Sequence, residues 1–280
     1  MVYRFKVPAT SANLGVCFDA AGIAFDLYVK FTVEPSDKWD IKGFSEEFKG
    51  EDSYFTVGYL KALDYKGIPH DCVKAVIDSD VPMTGGLGSS SALYVGGIYA
   101  ASIMHGNFLS RNEMLEIATD LEGHPDNVTP AIFGGLCIAH GNRALRIDVD
   151  ERWRFGAWTR NTLVSTIEAR KILPSSYTRS DTVCNVSAAI LVIDALKNFN
   201  VENIDCVMDD RIHEPYRKTL IPFFDETKDY VLKAGARAFI ISGSGSTCLS
   251  ICDRDIELEG RNGFTYIPLT VNKEGIIDGE

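Results

Sequence analysis

The chain has 280 residues, of which 45% are hydrophobic and 24% are charged, a composition typical of globular proteins. Its formal net charge of −11 and pI near 5.0 argue against nucleic acid or an anionic membrane surface as a main partner. An anionic nucleotide can still bind if the local field of its site opposes the global charge. The length suits one large domain or two lobes that share a core.

The seven cysteines form no Cys-x-x-Cys pair, and an odd number makes a poor disulfide framework. Most stand among apolar neighbours, as Cys137 does, so we expect reduced core residues in a cytoplasmic protein. The N-terminus lacks the apolar segment of a signal peptide. The longest apolar stretch, 92–104, is too short to span a bilayer.

In chain order, the first half alternates strands and helices. The patterns predict strands over 2–7 and 23–34, a helix over 53–65 closed by Gly67, a strand over 73–78, and an apolar helix that follows a Gly/Ser-rich loop at 84–91 and ends near His105. A capping box, Ser110 with Glu113, then opens a helix that stops near Gly123. Pro125 opens a short helix that Gly134 and Gly135 close.

The second half continues with short strands up to about 159, helices over 182–197 and 219–233, and a buried strand over 236–242. The predicted buried face of the 182–197 helix is Val183, Val186, Ile190, Ile193 and Leu196. Mixed elements without strict βαβ alternation indicate an α+β fold. Polar residues cluster at 150–165, where a soft boundary is expected.

Two loops of small residues suggest backbone approach to a ligand. The first runs from Pro8 to Asp19 as Pro-Ala-Thr-Ser-Ala-Asn-Leu-Gly-Val-Cys-Phe-Asp, and its Asn13 and Asp19 offer an amide and a carboxylate. The other runs from Ser242 to Thr247 as Ser-Gly-Ser-Gly-Ser-Thr, after a predicted buried strand. Taken alone, each loop is better explained as a plain turn.

The loop between them, Pro82-Met-Thr-Gly-Gly-Leu-Gly-Ser-Ser-Ser-Ala92, carries a stronger signal. Its glycines let successive backbone N–H groups converge on an anion, and the following helix points its positive end at the same place. The Lys-Ser/Thr ending of a Walker A loop is missing. The alternative is a glycine-rich helix cap without a ligand.

A fourth cluster places Glu122, His124, Asp126 and Asn127 within six residues. Burying so many polar groups costs free energy unless a ligand or a partner uses them. Helix capping by Asp126 and Asn127 is the alternative. Metal binding by His124 alone is not expected, because no second His or Cys stands at ligand spacing.

Taken together, the three loops resemble in order and spacing the motifs of the GHMP kinases, which bind ATP with a Gly-Leu-Gly-Ser-Ser loop. The resemblance implies an α+β, two-lobed fold, with a ribosomal-S5-like, ATP-binding lobe over 1–155 and a ferredoxin-like lobe over 156–280. The active site would lie in the cleft between them. By the same resemblance the nucleotide-binding residues are Pro82, Thr84, Gly85, Gly86, Leu87, Gly88, Ser89, Ser90 and Ser91, and the Mg²⁺ ligands are Ser90 and Glu122.

Within that family the chain resembles the homoserine kinases. The segments that carry this resemblance are 8–19, 122–130 with Gly134 and Gly135, and 210–217 with 220–222 behind it. It departs from the pattern in two places: Val16-Cys17 replaces Pro-Gly, and Ser246 replaces Pro. The implied reaction is ATP-dependent phosphorylation of L-homoserine to O-phospho-L-homoserine in threonine biosynthesis.

That reaction requires a site for a free amino acid. Arg170 and Arg217 suit its carboxylate, because a guanidinium can bind a carboxylate through two hydrogen bonds. The expected substrate-binding residues are Asn13, Asp19, His124, Asp126, Thr166, Arg170, Arg217 and Gly243. The expected catalytic residues are Asn13, Asp126 and Asn127, and no general base is assigned.

Two other functions remain open from the sequence. One is another GHMP kinase that acts on mevalonate, shikimate or a sugar, although the two arginines and the His124 cluster favour an amino acid. The other is a non-catalytic ligand sensor of the same family, although the glycine-rich loop and the expected metal ligands are kept. The sequence does not set the oligomeric state, and a homodimer is compatible with it.

Overall fold

The structure, a computed structural model, describes residues 1–43, 52–82, 85–141, 143–162 and 164–279. Thr84, one of the expected nucleotide-binding residues, lies outside the described residues.

Two sheets and eight helices build the described part of the chain. The first sheet consists of β1 (Tyr3–Ala12), β2 (Ala21–Ser36), β3 (Asp40–Gly43), β4 (Cys72–Ser79), β5 (Leu136–His140), β6 (Arg143–Ile147) and β11 (Ile277–Asp278). The second consists of β7 (Arg154–Thr159), β8 (Ala238–Ile241), β9 (Cys248–Cys252) and β10 (Thr265–Leu269). The helices are α1 (Tyr54–Lys66), α2 (Ser89–Met104), α3 (Arg111–Glu122), α4 (Pro125–Phe133), α5 (Thr166–Lys171), α6 (Arg179–Asn198), α7 (Glu214–Arg217) and α8 (Phe224–Lys233).

The strand orders are β11-β1-β2-β4-β3, with β5 between β2 and β6, and β10-β7-β9-β8. Only the β3–β4 pairing is parallel among the described strands. The predicted α+β class is confirmed. The last strand, β11, returns to the first sheet, and the lobe boundary at 155/156 stays a prediction.

Side-chain alternation in the second sheet joins the two sheets into one core. Ala238 and Ile240 of β8 face the main cluster, which also contains the first sheet and α2. Phe239 and Ile241 point the other way, into a smaller cluster with Trp158 beneath α8. Because successive strand residues point to opposite faces, β8 is apolar throughout and has both faces covered.

Local signals set several helix ends where the sequence predicts them. Ser53 caps α1 by accepting a hydrogen bond from the Thr56 N–H, and Gly67 ends it at φ 66°. Ser110 and Glu113 form the predicted capping box of α3. The predicted helix over 219–233 is wrong at its start, because a 3₁₀ turn at Lys218–Leu220 and Pro222 delay the helix to Phe224.

The predicted buried face of α6 is wrong for Val183, Val186 and Ile190, whereas Leu196 is buried and Ile193 packs partly buried against the core, as predicted. Val183, Val186 and Ile190 are 60%, 57% and 66% exposed. The helix packs through a face that consists of Asn185, Ala188, Val192, Ala195 and Leu196. The apolar stripe therefore points away from the rest of the chain.

All seven cysteines are free, and Cys17, Cys137, Cys248 and Cys252 are buried, as expected of small core residues. Among the described helices, none combines the length and apolar character that crossing a bilayer requires.

Candidate active site

Hydrogen bonds between the three glycine-rich segments bring them to one place. The Ser242 hydroxyl donates to the carbonyl of Gly86, and its oxygen lies 2.7 Å from Ser11 Oγ, whose hydroxyl can donate to it. Thr247 Oγ1 donates to the carbonyl of Gly85 at 2.6 Å. The first and third predicted loops therefore support the backbone of the second.

Two glycines of the middle loop are required by sterics. Gly88 has φ 69°, and a Cβ there would lie 2.1 Å from Thr10 Oγ1. Gly86 has φ 88°, and its Cβ would lie 2.6 Å from the carbonyl oxygen of Ser242. Gly88 is also the N-cap of α2 and supplies no side-chain cap. The first N–H groups of this 16-residue helix are thus left for another acceptor.

A cavity of about 580 Å³ opens beside this helix end, a size that suits a small-molecule ligand. The structure brings most of the sequence-predicted site residues into its wall: Asn13, Asp19, Gly85, Gly86, Gly88, Ser89, Ser90, Glu122, His124, Asp126, Asn127, Thr166, Arg170, Arg217 and Gly243. The wall also contains residues that the sequence did not single out: Ala12, Asp52, Tyr54, Val164, Ser165, Glu168 and Ser244.

Three of the expected nucleotide-binding residues are not part of the wall. Pro82 is half-buried outside it, and Leu87 is buried in the main core. Ser91 is buried and donates a hydrogen bond to Glu122 Oε1 at 2.8 Å. These three side chains therefore do not line the cavity.

Arg217 is the most deeply buried cation of the cavity wall, with 2% of the residue exposed. Its Nε donates to the carbonyl of Ala169 and its Nη1 to the carbonyl of Gly243, both at 3.1 Å. No acidic side chain forms an ion pair with it in the part of the chain that the structure describes. Burial and the nearby positive charge of Arg170 lower its pKa, so an anion in the cavity would relieve both effects.

Arg170, the second predicted arginine, already has a partner. Its two terminal nitrogens donate to the two carboxylate oxygens of Asp19 at 2.8 and 2.9 Å. This pair places a negative group next to the two guanidinium groups. The cavity therefore offers an excess of positive charge at one point and a carboxylate at another.

A stacked ring supports both guanidinium groups, and sequence reasoning missed it. The ring centroid of Phe18 lies 5.0 Å from Arg217 Cζ and 5.7 Å from Arg170 Cζ. The Phe18 ring also stacks against the ring of His213, with ring centroids 5.2 Å apart. A cation within about 6 Å of an aromatic ring is attracted by its quadrupole.

His213 in turn is fixed by its position in the core. It is fully buried, and its Nε2 lies 2.9 Å from the carbonyl oxygen of Gly15. Its Nδ1 has no hydrogen-bond partner among the described residues. Burial lowers its pKa and keeps the ring neutral. Phe18 and His213 lie within two of the segments that carry the family resemblance. No sequence pattern marked either of them as a site residue.

On the opposite wall, His124 Nδ1 and Asp126 Oδ1 lie 2.6 Å apart. Burial alone would lower the pKa of His124, but the hydrogen bond and charge of Asp126 outweigh it and raise the pKa. Asp126 is buried, with 2% of the residue exposed. The pair forms a fixed acceptor and donor at the start of α4.

The two predicted asparagines are held by protein contacts. Asn127 Oδ1 accepts from Thr10 Oγ1 at 2.9 Å. Asn13, at φ 71°, donates from Nδ2 to the carbonyl of Gly243 at 2.8 Å, and its Oδ1 accepts from the Asp19 N–H. Both side chains also line the cavity. Their roles toward a ligand stay predictions.

Glu122 is the carboxylate beside the first turn of α2. Burial raises its pKa, while the Ser91 hydrogen bond and the charge of His124 act in the opposite direction. Within the described residues, no group of three or more His, Cys, Asp or Glu side chains is arranged to hold a metal.

A glycine-rich loop at a helix N-terminus, in one cavity with a buried arginine, is the kind of site that binds a phosphorylated ligand without a Walker A loop. The family models described as "GHMP kinases N terminal domain" and "GHMP kinases C terminal" match residues 54–135 and 192–260. The homoserine kinase of Clostridium novyi is 37% identical over 90% of this chain and 87% of its own length.

Solved structures agree with that match. The crystal structure of homoserine kinase from Cytophaga hutchinsonii superposes with a TM-score of 0.87 at 26% identity, and covers 99% of this chain and 97% of its own. The Methanococcus jannaschii mevalonate kinase, at 17% identity and a TM-score of 0.67 over 97% and 98% of the two chains, shows the shared fold alone. The chain belongs to the GHMP kinase family, in its homoserine kinase branch. It is a kinase, and ATP is the phosphoryl donor of that family.

The glycine loop gives a first prediction. Gly88→Ala should raise the apparent KM for ATP at least tenfold and lower the melting temperature, because its Cβ would collide with Thr10. Gly67→Ala is the matched control, since Gly67 has a similar φ of 66° but nothing within 4 Å of an added Cβ. The control should lose only about 1 kcal/mol of stability and keep its KM. Equal kinetic effects at both positions would contradict a steric role for Gly88.

Proposed function

We propose that this chain transfers the γ-phosphoryl group of ATP to the side-chain hydroxyl of L-homoserine and releases O-phospho-L-homoserine. The observation that carries the proposal is the arginine pair with Asp19, in the same cavity as the N-terminus of α2. Its relatives named homoserine kinase support it. The small-molecule acceptor is thus an amino acid, and the phosphorylated product serves threonine biosynthesis.

The charges of the cavity suit both ends of a zwitterion. Arg217 has no acidic partner among the described residues, so we assign it the substrate carboxylate, with Arg170 beside it. The carboxylate of Asp19 faces the same cavity and suits the ammonium group. A neutral sugar would leave the charge of Arg217 unpaired, and neither mevalonate nor shikimate has an ammonium group for the carboxylate of Asp19 to bind in addition to Arg170.

The triphosphate is assigned to the other end of the cavity. The free N–H groups at the start of α2 and the backbone of the glycine loop suit phosphate oxygens. Ser89 and Ser90 add hydroxyl groups in the cavity wall. Backbone donors of this kind attract an anion locally, although the whole chain carries a net charge of −11.

The residues present fit a divalent cation. Burial disfavours the ionised form of Glu122, and the neighbouring charge of Asp126 disfavours it further, so a bound cation would stabilise the carboxylate. We assign Glu122 and Ser90 as ligands of Mg²⁺, which prefers oxygen atoms. When bound, Mg²⁺ neutralises charge that develops on the phosphate oxygens.

The acceptor hydroxyl is assigned to the wall formed by His124, Asp126 and Asn127. Asp126 is held by His124, and Asn127 is held by Thr10, so the wall is fixed before the substrate arrives. Phosphoryl transfer through a loose transition state depends mainly on position and charge. It requires little deprotonation before attack, and we assign no general base.

The acceptor panel tests the proposal directly. In a coupled ADP-release assay with ATP and Mg²⁺, L-homoserine should give the highest kcat/KM among L-homoserine, mevalonate, shikimate and galactose. Removing Mg²⁺ with a chelator should abolish turnover. A preference for mevalonate or a sugar would refute the substrate but not the family. No turnover with any acceptor would support a ligand sensor.

The arginine pair gives a second prediction. Arg217→Ala should raise the apparent KM for L-homoserine about tenfold to a hundredfold, since a hydrogen bond to a charged group contributes about 1.5–3 kcal/mol. Arg170→Ala should act more weakly, because Asp19 already neutralises Arg170. Lysine at position 217 should rescue only in part, because an ammonium group cannot bind a carboxylate through two parallel bonds.

Arg154→Ala removes an exposed ion pair with Asp255 and serves as the control. It should leave both KM values at the parent level. Thermal melts separate loss of binding from loss of fold. If folded Arg217→Ala binds L-homoserine as tightly as the parent does, the carboxylate site is misassigned.

The Phe18 ring, which lies against both arginines, gives a third prediction. Phe18→Leu should raise the KM for L-homoserine several-fold with little change in the KM for ATP, since a cation over an aromatic face gains about 0.5–2 kcal/mol. Phe18→Tyr keeps the aromatic face and should restore most of the affinity. A loss of kcat alone, with both KM values intact, would be inconsistent with a supporting role for Phe18.

A further inference from the structure

A buried ion pair outside the cavity involves the same short helix as the cavity arginine. Glu214 is the first residue of α7, with 5% of the residue exposed, and its Oε1 lies 3.1 Å from Lys228 Nζ of α8. Neither residue lines the cavity. We propose that Lys228 is a positioning residue, which holds the charge of Glu214 and so leaves Arg217 free for the substrate carboxylate. This role rests on the proposed function, because it presumes a substrate carboxylate at Arg217.

The sequence of α7 by itself favours a different pair. Glu214 and Arg217 are three residues apart, a spacing at which side chains of opposite charge attract each other on a helix. Such a pair would neutralise Arg217 before a substrate arrives. Within the described ranges, however, Arg217 forms no ion pair. The carboxylate that could neutralise it is bound elsewhere.

Two other partners occupy the carboxylate of Glu214. Its Oε1 accepts a hydrogen bond from Lys228 Nζ, and its Oε2 accepts one from the N–H of Ile241, both at 3.1 Å. Ile241 ends β8, an edge strand of the second sheet, so its N–H has no neighbouring strand to bind on that side. Lys228 therefore supplies the counter-charge, and the peptide of Ile241 fixes the orientation of the carboxylate.

Glu214 and Arg217 bind one segment of the chain at separate points. Glu214 accepts from the N–H of Ile241, whereas Arg217 Nη1 donates to the carbonyl of Gly243, two residues further on. A rotation of Glu214 toward Arg217 would break the first of these bonds and disturb the second. The arginine that we assign to the substrate is therefore sensitive to the partner that Glu214 takes.

The buried charges make this choice of partner important. Burial raises the pKa of Glu214, and the charge of Lys228 is the largest effect that opposes the rise. Burial also lowers the pKa of Arg217, so both groups gain from a charge of opposite sign. Without Lys228, the ionised carboxylate of Glu214 can turn to Arg217, three residues away on the same helix. It would then compete with the substrate carboxylate.

Steady-state kinetics with L-homoserine test this role on the full chain. Lys228→Met removes the charge and keeps an apolar side chain of similar length. Assayed above neutral pH, it should raise the KM for L-homoserine about tenfold, since a bond to a charged group is lost to the competitor. The KM for ATP should stay at the parent level.

A second substitution should reverse the effect. Adding Glu214→Gln to Lys228→Met should return the KM for L-homoserine to the parent level. The neutral amide can still accept a hydrogen bond from the N–H of Ile241, but it carries no charge with which to compete for Arg217. Lys228→Arg keeps the positive charge and should also stay close to the parent.

Lys218→Met is the matched control. Lys218 follows Arg217 directly and pairs with Asp225 of α8 at 3.0 Å, and 38% and 67% of the two side chains are exposed. This control also breaks an ion pair with α8, but it leaves no buried carboxylate without a partner. Both KM values should stay at the parent level.

Thermal melts separate positioning from a purely structural ion pair. Loss of Lys228 leaves a buried charge unpaired, so the melting temperature should fall under either explanation. A structural pair leaves the KM of the folded enzyme unchanged, whereas a positioning residue raises it. Lys228→Gln keeps a hydrogen-bond donor for Glu214 and provides the same comparison if Lys228→Met does not fold.

Three results would overturn the proposal. A folded Lys228→Met enzyme with the parent KM for L-homoserine removes the role of Lys228 and leaves the proposed function standing. A double variant whose KM stays as high as that of Lys228→Met shows that Glu214 does not compete for Arg217. A parent enzyme that does not phosphorylate L-homoserine refutes the proposed function and this role with it.

Discussion

The backbone of one residue, Gly243, holds the site together. Its carbonyl accepts hydrogen bonds from Asn13 Nδ2 and Arg217 Nη1, and its N–H donates to the carbonyl of Ala12. It thereby joins the end of β1, the third glycine-rich loop and α7, which are far apart in the sequence. Because all of these groups are buried, breaking one bond would leave a desolvated polar atom. The position of Arg217 thus depends on the loop 242–247, which also contacts the glycine-rich loop assigned to the nucleotide.

An acidic chain can still form a site for an anion, because the field within the cavity differs from the field at the surface. The surface charge is negative, but the field in the cavity comes from groups withdrawn from water. Arg217 is buried beside Arg170, and the first residues of α2 line the same cavity. These charges lie close to any ligand in the cavity, and water and salt screen them less than they screen the surface carboxylates. Their attraction for an anion therefore outweighs the repulsion from the surface. The aromatic stack under the arginines keeps them close without a neutralising carboxylate on Arg217.

Local patterns predicted the three loops and the capped ends of α1 and α3, because dihedral demands and caps act within a few residues. The pairing of Arg170 with Asp19 and the Phe18–His213 stack depend on long-range packing, and no short pattern encodes such contacts. The error on α6 has another cause. Apolar periodicity reports that a helix face avoids water, but it does not report whether the chain itself or another molecule covers that face.

The departure from the family pattern at Val16 and Cys17 shows which parts of the first loop matter. Its turn is made by Asn13, Leu14 and Gly15, all at positive φ. Cys17 has an ordinary φ, so the glycine of the pattern is not required there, and its N–H donates to the carbonyl of Asn13 at 2.9 Å. The carbonyl of Val16 is bound by Asn185 of α6. The loop therefore reaches its conformation through backbone hydrogen bonds, and Asp19 still meets Arg170 although Pro and Gly have been replaced.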